Sequence, residues 1–374
     1  MASTKAGLDL AALKSTVETI TALVSQLQTT APGTESNDDS SSKAGAVNAL
    51  DLAHDTASLI KAHSTKLSLL IINKPFTATA INTVLSELIA GPLPGLASAV
   101  QICTAAKYTK AMSEELQWRA KKLFVEFGAL IKAIPLDGQI LSDDAKNGTG
   151  KTEGKGSLAS TGVVWEACDG VTALKGLGVA GLVIKKAEEY RDLLKDALEE
   201  LQEWGEEESD GEDEEDSSNS DEEHSAQATL DTFFGSQRHI PPEDPEKIRQ
   251  RLDSSQKRLR LIITMYTAVI KRRFKTLPHL PHPKLPPELK NKSSEDPRII
   301  SCLDEVLEVM KKIPDAIDEL ASAFYDLDGE EIDKRMDECF CKGFAAAELL
   351  LNNWEGQKDE FTVWVSFCLI LRVS

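Results

Sequence analysis

The sequence predicts an all-α protein. Aromatic residues make up 5% of its 374 positions while charged residues make up 28%, and Leu, Ala, Glu and Lys abound, a composition that favours helices packed on helices. Apolar residues recur at three- and four-residue spacings along most of the chain, which is the period of an amphipathic helix. The long β-branched alternating runs that mark strands are missing.

Leu10, Leu13, Val17, Ile20, Leu23 and Leu27 form one such stripe, and the stretch Ala31 to Ser42 (APGTESNDDSSS) reads as a flexible linker by composition. A long helix is expected from about Gly45 to Asn73, ended by Pro75. Helix continues from Thr77 to Ala90, is broken or kinked by GPLPG at Gly91 to Gly95, and resumes from Leu96 to Tyr108. Glu114 to Ile134 is the next helix, halted by Pro135 and by Asp137-Gly138; the polar, Gly-rich stretch Gln139 to Ser157 is a loop. Two further segments, Leu158 to Leu174 and Val179 to Trp204, carry helical stripes.

The net charge of −19 is local in origin. Twelve acidic and no basic residues stand between Glu206 and Glu223; setting those 12 negative charges aside leaves −7 on the other 356 residues. Like charges at that density repel and leave little to bury, so this segment is expected to be disordered and to divide the chain. The expected organisation is an N-terminal helix and linker (1–44), a first helical domain (45–205), an acidic linker (206–243) and a second helical domain (244–374), the two domains being antiparallel bundles of long helices. In the second, Asp244-Pro245 and Asp296-Pro297 read as N-caps followed by Pro at the first helical position. Ile300, Leu303, Val306, Met310, Ile313, Ile317, Leu320, Phe324 and Leu327 make the most regular stripe in the chain, and Pro314 within it is expected to kink the helix. Glu330 to Trp354 is the last clear helix. After Trp364 the sequence VSFCLILRVS loses the helical pattern, which suggests an alternative terminus.

Motifs that would carry chemistry are weak. Ala145 to Thr152 (AKNGTGKT) matches a relaxed phosphate loop, but a working loop needs a buried strand before it and a helix N-terminus after it, and linker sequence stands on both sides. The histidines lack metal-ligand spacing. Asp326 and Asp328 precede Gly329 without a third calcium ligand, and Asp328 reads better as a helix cap. No cofactor, metal or catalytic residue is expected, and the protein is read as a non-enzyme. No stretch approaches the roughly 20 apolar residues of a membrane span, and the first ten residues lack the apolar core of a secretory signal, so a soluble, intracellular protein is expected. The six cysteines contain no CxxC pair, which suits buried thiols in a reducing compartment.

Two sets of residues remain as candidate sites. Ser209, Ser218 and Ser220 each have an acid three positions on, the pattern of an acid-directed phosphoacceptor. Lys271, Arg272, Arg273 and Lys275 form a basic cluster of the nuclear-import kind. The helix that carries this cluster has ten basic residues between Lys247 and Lys275. Its stripe of Ile248, Leu252, Leu259, Ile262, Tyr266 and Val269 commits it to a bundle, so nucleic acid is not an expected partner.

Several stretches resemble the cyclin-D-binding protein family (GCIP-like): HDTASLIKAHSTKL and INTVLSELIAGPLPGL within Ala46 to Gln101, VVWEAC at Val163 to Cys168, the charged helix AEEYRDLLKDALEEL, and then an acidic insert followed by a second helical region. The resemblance runs from about Gly45 to Trp364. It implies a two-part helical bundle that binds cyclin D and helix-loop-helix transcription factors and restrains cell-cycle progression and transcription. A regulator of this type is expected in nucleus and cytoplasm. Trp165 and Cys168 are read as core residues. The alternative is a helical-bundle scaffold of the vinculin or talin kind, at the cytoskeleton or a membrane.

Overall fold

A computed structural model describes residues 2–33, 47–148, 156–206, 239–278, 280 and 296–370. Among them there are helices and no strands. Two compact units divide the chain, one of Met1–Leu182 with His279–Ser301 and one of Val183–Pro278 with Cys302–Ser374. The expected linker at residues 34–42 and the acidic run from residue 207 on, where the sequence places a domain boundary, lie outside the described residues.

The first unit contains α1 (Ala2–Leu27), α2 (Ala49–Ile72), α3 (Ala78–Ala90), α4 (Pro92–Ile102), the short α5 (Ala105–Tyr108), α6 (Lys110–Lys132), the short α7 (Asp143–Asn147) and the start of α8 (Ser157–Glu206). Each start has a local cause. The Asn48 side chain accepts from the Leu50 and Asp51 amides and so opens α2. Pro92 sits in the first turn of α4, where its missing N–H costs no hydrogen bond; the GPLPG stretch therefore starts a helix at Pro92 instead of delaying it to Leu96. Thr109 opens α6 earlier than Glu114, with its hydroxyl accepting from the Met112 amide at φ 76°. A β-branched residue in that region is strained, and Thr109 is held there fully buried. The core is mainly aliphatic, with a few aromatics: Leu13, Ile20 and Val24 of α1, Ile60, Leu67 and Ile71 of α2, Leu85 and Leu88 of α3, and Leu123 and Phe127 of α6 are all buried.

Two stretches, Ala78–Ile102 and Ser157–Glu206, are long and apolar enough to cross a membrane by length and composition alone. This corrects the expectation that no stretch approaches that length. The interspersed Gly, Ala, Ser and Thr residues hide the runs from a count of strictly apolar positions, while their average hydropathy stays high. Half of the window in Ala78–Ile102 is buried in the fold, as in a core helix of a bundle.

In the second unit the latter part of α8 packs with α9 (Ile248–Arg272), α10 (Asp296–Tyr325), α11 (Gly329–Leu349) and α12 (Glu360–Ile370). Successive helices alternate direction. Glu200 on α8 meets Tyr325 at the end of α10, and Gly205 lies against Leu252 at the start of α9. Arg251 and Arg258 of α9 reach Asp333 and Asp337 of α11, so α9 and α11 run the same way, as the first and third members of an up-down-up series do. The regular stripe of α10, Ile300 to Phe324, is buried at every position; Leu327 is partly exposed and already in the turn, with φ 58°. α10 continues past Pro314.

Asp244-Pro245 does not start α9. Asp244 has φ 37°, and its carboxylate accepts from the amides of Ile248 and Arg249, at 2.6 and 3.0 Å, so it caps the helix from four residues upstream. Asp328 caps α11 as expected, its side chain accepting from the Glu331 amide at 3.0 Å. Residues 360–370 are helical, so the loss of pattern after Trp364 does not end the helix there.

α8 is broken at Gly178, with φ 63° and ψ −179°, a conformation that only glycine adopts without strain. The break falls in the gap between the two helical segments that the sequence separates. A Cβ there would meet nothing within 4 Å, so the requirement is one of backbone conformation alone. Gly178→Ala should destabilise the protein by about 1–3 kcal/mol, whereas Gly162→Ala, mid-helix with open space around it, should be neutral or stabilising; urea unfolding of the two variants checks the contrast.

Candidate protein-docking face

In the first unit, α8 lies between α2 and α6. Lys61 of α2 binds both carboxylate oxygens of Asp169 (2.6 and 2.7 Å), Lys175 reaches Asp51 at 2.9 Å, and Thr161 donates to Ser68 at 3.0 Å. On the other flank, Arg119 of α6 donates to the Gly170 carbonyl and pairs with Glu115, while Lys122 stands 3.5 Å from Glu166. These cross-links are mostly solvent-exposed and each contributes little to stability; together they hold three helices in fixed register.

That register leaves two tryptophans on the surface. Trp118 of α6 is 60% exposed, with Val125 one heptad on also exposed and the Lys122 ammonium 6.0 Å from the indole centroid. Trp165 of α8 is 39% exposed, and its Nε1–H donates to Thr65 of α2 at 3.0 Å. Leu158, one heptad before Trp165, and Leu69 of α2 are exposed as well. Trp165 therefore corrects the expectation of a core residue: Val164, Ala167, Cys168 and Val171 make the buried stripe of this part of α8, at the three- and four-residue spacing of one helix face, and Trp165 lies at its edge. Exposed tryptophans, each with an exposed aliphatic residue one heptad away on its own helix, give large apolar area in fixed geometry, and tryptophan is enriched at protein interfaces.

The basic cluster of the sequence reading lies at the end of α9 in the second unit, and it is divided. Lys271, Arg272 and Lys275 are exposed, and Arg272 pairs with Glu360 at 3.2 Å. The Arg273 side chain is 0% exposed. Its guanidinium pairs with both oxygens of Asp359 (2.7 and 2.9 Å), donates to the Leu350 and Leu351 carbonyls (2.8 and 3.1 Å) and stacks 4.5 Å from the Phe361 centroid. An import receptor could read three of the four cations; Arg273 is occupied by the fold. Ser209, Ser218 and Ser220 lie outside the described residues, as does the part of the phosphate-loop match from residue 149 on. Its first part, residues 145–147, closes α7, with Gly148 in the left-handed region after it.

Among the described residues three thiols are placed for packing, while Cys302 is half-buried and Cys341 exposed. Cys103, Cys168 and Cys339 are buried, and burial pushes each up to about 12; Cys302 is raised for the same reason. A thiol that stays protonated is a poor nucleophile and a poor metal ligand.

Residues 52–207 match the family model described as Grap2 and cyclin-D-interacting, N-terminal. This stretch of the chain is GCIP-like. The GCIP-like region carries both exposed tryptophans, all of α6 and α8 and all but the first three residues of α2. An uncharacterized protein of Schizosaccharomyces pombe is 24% identical over 318 residues, spanning 85% of this chain and 82% of that protein. The likeness therefore extends well beyond the GCIP-like region.

The Arg273–Asp359 pair has a measurable signature. The Arg273 guanidinium, followed by the Thr362 amide, holds the Asp359 carboxyl far below the usual carboxylate range. Its stabilisation is thus complete above the unfolded-state value of about 3.9 and is lost as pH falls through the lowered folded value. Asp359→Asn should cost about 2–3 kcal/mol at pH 7, less than a fully buried pair because the Asp359 side chain is 35% exposed. Denaturant unfolding across pH should show that cost constant down to about pH 5 and shrinking in stronger acid.

Proposed function

We propose that the protein is a non-enzymatic, protein-binding regulator that acts in nucleus and cytoplasm, holding a cyclin-type or helix-loop-helix partner and thereby restraining cell-cycle progression or transcription. The observation that carries this reading is the exposure of two tryptophans, Trp118 on α6 and Trp165 on α8, within the region that matches the cyclin-D-interacting family. Trp118 and Trp165 supply large, rigid contact area at low entropic cost, and the ion pairs that link α2, α6 and α8 fix the register of these helices before a partner arrives, which reduces the ordering penalty of binding. The thiols raised by burial also suit a binding role better than a catalytic one.

Purified chain mixed with a D-type cyclin, and separately with a helix-loop-helix domain, tests the reading by calorimetry. One of the two should bind, and Trp118→Ala with Val125→Ala should weaken it by at least about tenfold, the loss expected for a central tryptophan anchor. Thermal stability of that variant should stay close to that of the parent, because both side chains are exposed and neither fills the core. Failure of both proteins to bind, or binding unaffected by the substitutions, counts against the proposal. A cortical distribution of the tagged protein would favour a cytoskeletal scaffold instead.

A further inference from the structure

The second unit has a surface of its own that the docking face leaves unused. α9 and α11 run side by side, and Gly343 of α11 lies so close to α9 that a Cβ would stand 3.3 Å from Ile262. Beside this close approach a cleft opens, with a cavity of about 50 Å³, lined by Leu261 and Met265 of α9, Phe340 and Phe344 of α11, and Trp364 of α12. The volume is several times what one water needs, and every lining side chain is apolar, so water gains no partner there. Leu261 is 41% exposed at its edge.

The charge around this cleft is one-sided. Lys257, Leu261, Thr264, Ala268 and Lys271 follow one another at helical spacing and share a face of α9. Lys257, Arg260 and Lys271 are exposed and have no ionic partner among the described residues. Two acids of the facing helices are already used: Asp337 of α11 pairs with Arg258, whose guanidinium lies 5.8 Å from the Phe340 ring, and Glu360 of α12 pairs with Arg272. Glu348 marks the α11 side. A chain that carries −19 overall thus presents a basic rim along an apolar cleft.

We propose that this cleft binds an amphipathic helix of a partner protein, with bulky apolar residues at i, i+4 and i+7 inserted between α9, α11 and α12 and acidic residues along its α9-facing edge. The inserted residues supply affinity, and the acids meeting Lys257, Arg260 and Lys271 set its orientation and speed its association. The proposal rests on different residues from the tryptophan face and stands or falls separately from it.

The test uses the full chain and two designed 21-residue helical peptides with the same Leu and Phe stripe, one flanked by Glu and one by Lys, read by fluorescence anisotropy. The Glu peptide should bind at least about tenfold more tightly, weakening as salt rises. Lys257→Glu with Lys271→Glu should reverse the preference, and Leu261→Glu should abolish binding of both. All three positions are exposed, and unchanged thermal melts confirm that the variants fold. Equal binding of the two peptides, no binding of either, or a preference unmoved by charge reversal overturns the proposal. So does light scattering that shows a dimer of the parent chain and a monomer for Leu261→Glu, because the cleft's occupant is then a second copy.

Discussion

The second unit depends on one buried cation. Desolvating a guanidinium is costly unless nearly all of its donors are met, and Arg273 meets that demand by drawing together the ends of three helices: its own position just past α9, the carbonyls of Leu350 and Leu351 just past α11, and Asp359 just ahead of α12. The Arg273 carbonyl in turn accepts from Trp354 Nε1 at 2.8 Å, and Thr362 binds both Leu351 and Asp359. The turn between α11 and α12 is shaped by this network together with Asn353, whose side chain accepts from the Glu355 and Gln357 amides. The placement of Trp364 in the apolar cleft follows from it, since α12 begins at the residue after Asp359.

How much of this is legible in the sequence varies with the physics involved. Helical periodicity reports burial averaged over many residues, and on that basis the α10 stripe and the split of α8 near Gly178 are both readable. Local polar chemistry is harder. Asp244-Pro245 has the composition of a helix start, yet its carboxylate caps α9 from a distance, because φ 37° at Asp244 and 54° at Lys247 insert an extra turn. Arg273 looks like one member of a surface cluster; only the fold brings Asp359, 86 positions away, to it. Charge runs read from sequence carry no information about which member turns inward, although Phe274 beside it, also buried, hints that the helix's surface pattern is ending.

Trp165 shows the opposite error. A large aromatic in an apolar stretch reads as core, but Val164 and Cys168 already claim the inward side of α8. Periodicity within VVWEAC could have separated them, had the apolar positions been weighed by phase and not by size. The exposed tryptophans and the basic rim of the cleft share this origin: each is a departure from the average pattern, visible once the neighbouring turns have been assigned to the core.

The buried sulfurs carry a further consequence. Cys103 and Cys168 lie in the first unit and Cys339 in the second, each sealed from solvent and held protonated. Alkylating reagents should find them only when the surrounding helices come apart, so each sulfur acts as a built-in clock for local opening. Either half of the molecule can be timed by its own natural label, provided that in the second the slow reaction of Cys339 is followed apart from the exposed Cys341 and the half-buried Cys302.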